Sequence, residues 1–411
     1  MREGWTIKQL GDLCTIRPPK KETRAKLDDN AEVGFLPMED LGIRQQAVTT
    51  SQTRALGEVY KSYTYFADGD VLLAKITPCF QNGKLGIARD LPNGVGFGSS
   101  EYFVLRSNGE ILPEYLFYFL SQDSFIKGGV RQMSGAVGHQ RVPPEYVASQ
   151  KVPLPPLAEQ KRIVAILDEA FEAIERAEEV DASRQASAAV LVQAAIDDYL
   201  DEHAEAVQPL EQDVRFIDYR GRTPPKTESG LPLITAKNVR MGFVKPEPQE
   251  FVDPGIYETW MTRGIPKEGD VLFTTEAPLG NVAVLDRSDR VVFAQRVIVL
   301  QPDRTRLNPI YLQYVLRSTT IQNRILAEGT GATATGIKAS RLKKVAIPVV
   351  QDNAMQKRLA DDLSEIESEV KRLQAVMDER STRFSSLRQS LLSAAFDGRL
   401  PPGNSEPLVC S

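Results

Sequence analysis

Cysteine and histidine are scarce in this chain of 411 residues. The three cysteines, Cys14, Cys79 and Cys410, lie far apart without paired spacing, which speaks against a disulfide framework and against a thiolate zinc site. The two histidines, His139 and His203, have no neighbouring ligand pattern, so neither a metal centre nor acid-base chemistry is expected. No apolar run is long enough to span a bilayer, and the start, Met1-Arg2-Glu3-Gly4-Trp5, lacks the apolar core of a secretion signal. The expected compartment is the cytoplasm.

Other motifs of chemistry are missing too. There is no Gly-x4-Gly-Lys-Ser/Thr loop for a nucleotide. The run Gly94-Val95-Gly96-Phe97-Gly98 has the look of a glycine-rich cofactor loop but lacks the Asn/Asp-Pro-Pro-aromatic partner that amino-group methylation uses; it reads as a flexible loop between strands. Glu159-x-Lys161 and Glu369-x-Lys371 resemble half of a nuclease motif, yet on a helix residues two apart point to different faces, so they read as solvated surface. The chain is expected to be non-catalytic, with no cofactor and no metal.

What is present is repetition. Gly69-Asp70-Val71-Leu72 returns as Gly269-Asp270-Val271-Leu272, and Tyr115-Leu116, Gly135-Ala136 and Gln160-Lys161-Arg162 return 196 positions later, as Tyr311-Leu312, Gly331-Ala332 and Gln356-Lys357-Arg358. The matches keep their order through strand-like, helix-like and loop-like stretches, the mark of a duplication. Each half reads as an α+β domain. Short apolar strands such as Tyr102-Phe103-Val104-Leu105 and Arg296-Val297-Ile298-Val299-Leu300 alternate with Gly and Pro punctuation, and helices are expected at Glu114 to Ile126 and at about Pro309 to Ile325.

Each half is followed by more than 40 residues almost free of Gly and Pro, Ala158 to about His203 and Asn353 to about Phe396. The second carries a heptad stripe, Leu359, Leu363, Ile366, Val370, Leu373, Met377, Phe384, Leu387 and Leu391, interrupted by Arg380. The first carries Ile163, Leu167, Ile174 and Leu191 with small residues between, interrupted by Asp181 and Arg184. Such a stripe buries one narrow seam against a second helix. A pseudo-twofold internal repeat would make the pair antiparallel. Asn353 with Gln356 is expected to form a capping box at the second helix start.

Charge divides along the same lines. The whole chain is −5, but residues 156–205 alone are −9, whereas 1–155 and 206–350 carry surpluses of +1 and +5. A polyanion would meet the two halves and avoid the first helix.

The string Pro153-Leu154-Pro155-Pro156-Leu157-Ala158-Glu159-Gln160-Lys161-Arg162-Ile163 entering a helix, with the repeated Gly-Asp-Val-Leu, the turn Ser134-Gly135-Ala136 and the C-terminal Ala395-Phe396-Asp397-Gly398-Arg399-Leu400, resembles the specificity subunit of type I restriction-modification systems over essentially the whole chain. That resemblance implies an α+β fold with two similar target recognition domains separated by an antiparallel coiled coil, at 1–155 and 206–350, with spacer helices at 156–205 and 351–397 and a flexible tail at 398–411. It implies double-stranded DNA as ligand, each domain reading half of an asymmetric bipartite target. It also implies two adenine methyltransferase (modification) subunits docked on the coil and restriction (endonuclease-translocase) subunits beyond them. At the second junction Ile347-Pro348-Val349-Val350 replaces the Pro-rich run, and Met355 stands where Glu159 would recur.

Reading bases takes hydrogen-bonding side chains on loops, with phosphate contacts setting register. The candidates in the first half are Arg17, Lys20, Lys21, Lys75, Gln81, Asn82, Lys84, Arg131, Gln132, His139, Gln140 and Arg141. Those in the second are Arg220, Arg222, Lys226, Lys237, Asn238, Arg240, Asn281, Lys338 and Arg341. The competing expectation is a scaffold whose two α+β domains bind proteins across a coiled-coil spacer. It does not account for the basic surplus of the halves.

Overall fold

The computed structural model describes residues 4–136, 138–219, 223–331 and 335–401. The chain divides into two compact units, Met1–Glu179 with Glu379–Ser411, and Val180–Asp378. Neither unit coincides with one sequence repeat, because each of the two long helices, Leu157–His203 and Asn353–Phe396, contributes to both.

In the first unit a five-stranded sheet runs in the spatial order Cys14–Ile16, Tyr102–Ser107, Val71–Ala74, Leu85–Ala88, Gln45–Val48. A second, four-stranded sheet holds Gln52–Ala55, Glu32–Leu36, Val95–Gly98 and Thr64–Ala67. The second unit repeats the main sheet as Val214–Asp218, Val297–Pro302, Val271–Thr275 and Leu279–Val284. The register repeats as well. Val71 lies opposite Leu105, and Val271 lies opposite Leu300.

The repeated Gly-Asp-Val-Leu belongs to this scaffold. Gly69 and Gly269 take φ of +83° and +86° to turn the chain into the strand, a conformation that costs glycine nothing. The buried Asp70 and Asp270 then accept the N–H of Ala67 and Lys267, each at 2.8 Å. Val95–Gly98, expected as a flexible loop, is instead a buried strand. A Cβ on Gly96 would lie 2.2 Å from the Phe66 ring, so the glycines admit a neighbour rather than a cofactor.

Each helix expected after the sheet is two helices. Pro113–Leu120 and Asp123–Gln132 are separated by Gln122, in extended conformation, and Pro309–Arg317 and Thr319–Ala327 by Ser318, whose hydroxyl caps the second. Apolar periodicity continues across both breaks and hides them. In the first unit the start of Asp123–Gln132 is capped by Gln389 of the second long helix, at 2.8 Å. In the second unit Asp197 of the first long helix caps Thr319 at the matching place, through its N–H at 2.8 Å.

The long helices lack Gly and Pro throughout and run antiparallel in the first unit. Arg162 Nη1 donates to the Pro401 carbonyl at 2.8 Å, and Glu178 pairs with Arg388 at 2.7 Å. Ile163, Leu167, Leu392, Ala395 and Phe396 share one core with Tyr115 and Leu116. In the second unit Ile196, Leu200, Leu359 and Leu363 share a core with Tyr311 and Leu312.

The seam departs from the strict heptad. Leu191, Leu373 and Leu387 are 63%, 49% and 45% exposed, while Ile196 and Leu392 are in the cores and Val192 packs half-buried against the second. A helix of 3.6 residues per turn drifts about 20° per heptad, so the buried stripe slips by one residue over the length of each helix. Ile174 is buried, and Ile366, Val370, Met377, Phe384 and Leu391 are half-buried.

Two further expectations are corrected. Asn353 and Gln356 form no capping box. Asp352 caps the second long helix through the Ala354 N–H at 2.9 Å, and Asn353 donates to the Arg304 and Thr305 carbonyls. Gln356 is fully buried, accepting from Asn308 N–H at 2.7 Å and donating to Arg306 and Val350 carbonyls. Gln160 does the same in the first unit with Leu112, Glu110 and Pro155. The tail also begins later than expected, since Leu400 is buried in the first core and Arg399 N–H bonds back to Ala394 at 2.8 Å. Residues 402–411 lie outside the described residues.

Candidate nucleic-acid interface

At one end of the main sheet in the first unit, three segments are tied by backbone hydrogen bonds. Lys75 N–H donates to Glu101 O, Val142 N–H donates to Lys75 O, and Ser134 and Arg141 exchange a bonded pair. Three cations, Arg17, Lys75 and Arg141, line a cavity of about 650 Å³ there together with one carboxylate, Glu145, and the apolar Phe103 and Val142. Arg141 is held in bidentate fashion by Glu101, both contacts at 2.9 Å. The pairing holds the Glu101 carboxyl below the usual carboxylate range, although burial opposes it. Burial pushes the Lys75 ammonium down, helped by Arg17 and Arg141 and countered by Glu101. Cations held together at a concave mouth favour an anionic ligand.

The second unit has the same backbone frame with different charges. Thr275 N–H donates to Arg296 O, Ile337 N–H donates to Thr275 O, and Thr330 and Gly336 exchange the bonded pair. Arg296 thus stands where Glu101 stands, and Gly336 where Arg141 stands. Arg296 finds its carboxylate in Glu276 instead, Nε to Oε1 at 2.6 Å. Glu276 bridges Gly336 as Ile76 bridges Arg141. The cavity here, about 340 Å³, is lined by Glu276, Gln295, Arg296, Thr330 and Lys338 among others.

Of the expected base readers, Arg17, Lys75 and Arg141 line the first site, with Gln140 half-buried and Arg131, Gln132 and His139 exposed in or beside its loop. Lys338 lies at the second site, and the exposed Arg341 is paired with Glu328 at 3.8 Å. Gln81 and Asn82 are exposed on a separate turn, and Lys21 is exposed at the start of the short helix Lys21–Arg24. Lys237 is exposed, Arg240 half-buried, and Lys226 is paired with Glu250 at 2.9 Å. Arg220 and Arg222 lie outside the described residues.

Four candidates are scaffold instead. Asn238 is buried, accepts from Thr235 and donates to Lys245 and Pro248 carbonyls. Asn281 donates its amide to Val239 O at 2.9 Å. Lys84 donates to Met38 and Glu39 carbonyls, and Lys20 to Tyr60 and Lys61. In each the polar head satisfies a backbone carbonyl, a demand that sequence position alone does not reveal.

Among the described residues no group of His, Cys, Asp and Glu is placed to hold a metal ion, and no helix is long and apolar enough to cross a membrane. Cys14 is free and buried, its thiol pushed up to about 12 by burial and by Asp70.

Residues 2–181 and 249–376 match the family of the type I restriction modification DNA specificity domain. The chain belongs to that family. A specificity-family relative, the type I restriction enzyme EcoEI specificity subunit of Escherichia coli, is 38% identical over 163 residues, 39% of this chain and 27% of that protein. The EcoAI specificity subunit of the same organism is 36% identical over the same shares. The match thus spans about a quarter of the length of these two relatives. The EcoKI specificity subunit of Escherichia coli strain K12 is 23% identical over 97% of this chain and 89% of its own. Two solved structures share the fold. One comes from work on complex assembly and conformational transition of the type I R-M system, with TM-score 0.78 and 21% identity over 97% of this chain and 99% of that one. The other is the HsdS subunit from Thermoanaerobacter tengcongensis, with TM-score 0.60 and 22% identity over 97% and 98%.

Within this specificity-family chain, Glu101, Glu276, Gln295 and Arg296 escaped the sequence reading. The signal was in the repeat: alignment of the strands Tyr102–Ser107 and Val297–Pro302 sets Glu101 against Arg296, a reversal of charge at one position that a search for matching islands discards.

Proposed function

We propose that this chain is the DNA-specificity subunit of a type I restriction-modification complex. Residues 1–155 and 206–350 act as target recognition domains, each reading one half of an asymmetric bipartite DNA sequence. The long helices set the number of unread base pairs between half-sites, since both readers must face the duplex in helical phase, and carry two methyltransferase subunits. Restriction subunits join through these, in the cytoplasm. The chain itself supplies no catalytic group.

The observation that carries this reading is one backbone frame built twice with different side chains, Lys75, Glu101 and Arg141 at one site and Thr275, Glu276 and Arg296 at the other. Equal frames present equal geometry to a duplex, and unequal side chains select unequal bases. The modest positive surplus of the two halves fits a clamp completed by partner subunits.

Exchanging residues 206–350 for the corresponding domain of a relative, with methylome sequencing of cells expressing the chain and its methyltransferase partner, is expected to change one half of the methylated sequence and leave the other. A change in both halves would defeat the modular reading. Protein capture that is insensitive to salt, with no DNA mobility shift, would favour a scaffold instead.

A further inference from the structure

The two charged pairs occupy equivalent frames with opposite polarity. In the first unit the position before the outgoing strand bears a carboxylate, Glu101, and the guanidinium comes from the loop at Arg141. In the second unit that position bears the guanidinium, Arg296, and the carboxylate comes from the neighbouring segment at Glu276. Both guanidinium groups are about half exposed, 47% in each case. A salt bridge kept only for stability at such exposure contributes little, so its retention at both sites in different wiring calls for another role.

Geometry supplies one. Arg141 gives Nε–H and one Nη2–H to Glu101, and one Nη1–H to the His139 carbonyl at 3.1 Å. A guanidinium has five N–H groups, which leaves one on each terminal nitrogen. Two donors on the terminal nitrogens of a planar fork match the N7 and O6 acceptors on the major-groove edge of guanine. The carboxylate brace fixes the plane of the fork, so little side-chain entropy is lost on contact. Arg296 meets Glu276 in a single ion contact, Nε to Oε1 at 2.6 Å, without the bidentate hydrogen bonding of Arg141.

We propose that Arg141, braced by Glu101, and Arg296, braced by Glu276, are specificity-determining residues, one for each half-site, each reading a guanine. The inference rests on the specificity-subunit reading above and deepens it. Glu101 and Glu276 are positioning residues that act through their arginines. The offset between Arg141 and Arg296 within the common frame puts the two guanines at different places in their half-sites.

The test is selection from a randomised double-stranded DNA library by the full chain in complex with its methyltransferase partner. Binding is read rather than turnover, so that a weakened variant still reports its preferences. Arg141→Ala is expected to lose preference for guanine at one position of one half-site, by on the order of tenfold to a hundredfold, with the other half unchanged. Arg296→Ala does the converse. Arg141→Lys keeps the charge without the fork and is expected to lose the same preference, which also decides the matter if the alanine variant melts early by circular dichroism. Glu101→Gln weakens the same position without altering others. Unchanged preferences in the arginine variants overturn the proposal, as does a uniform loss of affinity for all sequences, the signature of a phosphate contact. If the wild-type complex selects no bipartite sequence, it is the specificity-subunit reading that fails.

Discussion

At the scale of single residues, the buried amides of Gln160 and Gln356 explain why the repeat preserves that position. Each side chain closes three backbone hydrogen bonds between the start of a long helix and the loop before a domain helix. Replacing the amide with an apolar group of similar size would leave a buried N–H and two carbonyls unpaired. Gln356→Leu is therefore expected to lower stability by about 3 kcal/mol, read from the midpoint of urea unfolding. A loss below about 0.5 kcal/mol, the range of ordinary surface changes, would contradict this assignment. The repeated position was visible in the sequence, but its role was not: Gln356 to Asn308 is a tertiary contact between residues 48 apart, and a local capping pattern imitates it. The same limit hid the scaffold duty of Asn238, whose partners only the folded turn brings within reach.

Between elements, a buried ion pair in the second unit joins the helix Pro309–Arg317 to the second long helix. Arg317 and Glu367 meet in two hydrogen bonds, at 2.9 and 3.2 Å, with side chains only 7% and 15% exposed. Burial disfavours the Glu367 charge, but Arg317, with help from Lys371 and Tyr314, holds its carboxyl below the usual range. A depressed folded pKa gives stability that is fully present above the unfolded carboxylate pKa, about 4.3, and is lost as pH falls through the folded value. Glu367→Gln is expected to flatten this part of the acid limb when unfolding midpoints are compared between pH 7 and 3. Glu367→Ala, which strands a buried guanidinium, is expected to cost on the order of 3 kcal/mol at pH 7. An acid limb identical to wild type in Glu367→Gln would refute the assignment. The long helices and the main-sheet strands were expressed in the sequence, because Gly- and Pro-free runs and a repeated strand pattern act locally, whereas the glycine-rich strand Val95–Gly98 was not. The slipped seam at Leu191, Leu373 and Leu387 was not, since helical drift accumulates only along the folded length.

At the level of the whole molecule, the first unit is assembled from two pieces distant in sequence, Met1–Glu179 and Glu379–Ser411, whereas the second is continuous. Removing residues from Glu379 onward would take Leu392, Ala395, Phe396 and Leu400 out of the first core and leave the second core's residues in place. The truncated chain is expected to lose hydrogen-exchange protection across the strands of the first unit while keeping it at Val271–Thr275 and Val297–Pro302. Equal protection in both units would show that the C-terminal helix end is dispensable. The α+β class, the charge asymmetry and the family resemblance were legible in the sequence, whereas the division into units at Glu179 and Asp378 was not. The two charged pairs were not, because a reversal at one equivalent position looks like a mismatch until backbone hydrogen bonds align the frames.

The split first unit also bears on biosynthesis. Val180–Asp378 is one continuous stretch and can close as soon as it leaves the ribosome, whereas the earlier-made Met1–Glu179 must wait some 200 further residues for Phe396. At about 5–20 residues per second, that is a delay of roughly ten to forty seconds in which Tyr115, Phe119 and Leu116 lack their final cover. The nascent chain therefore matures in the reverse of its order of manufacture, and its amino-terminal half is where a holdase chaperone would be needed most.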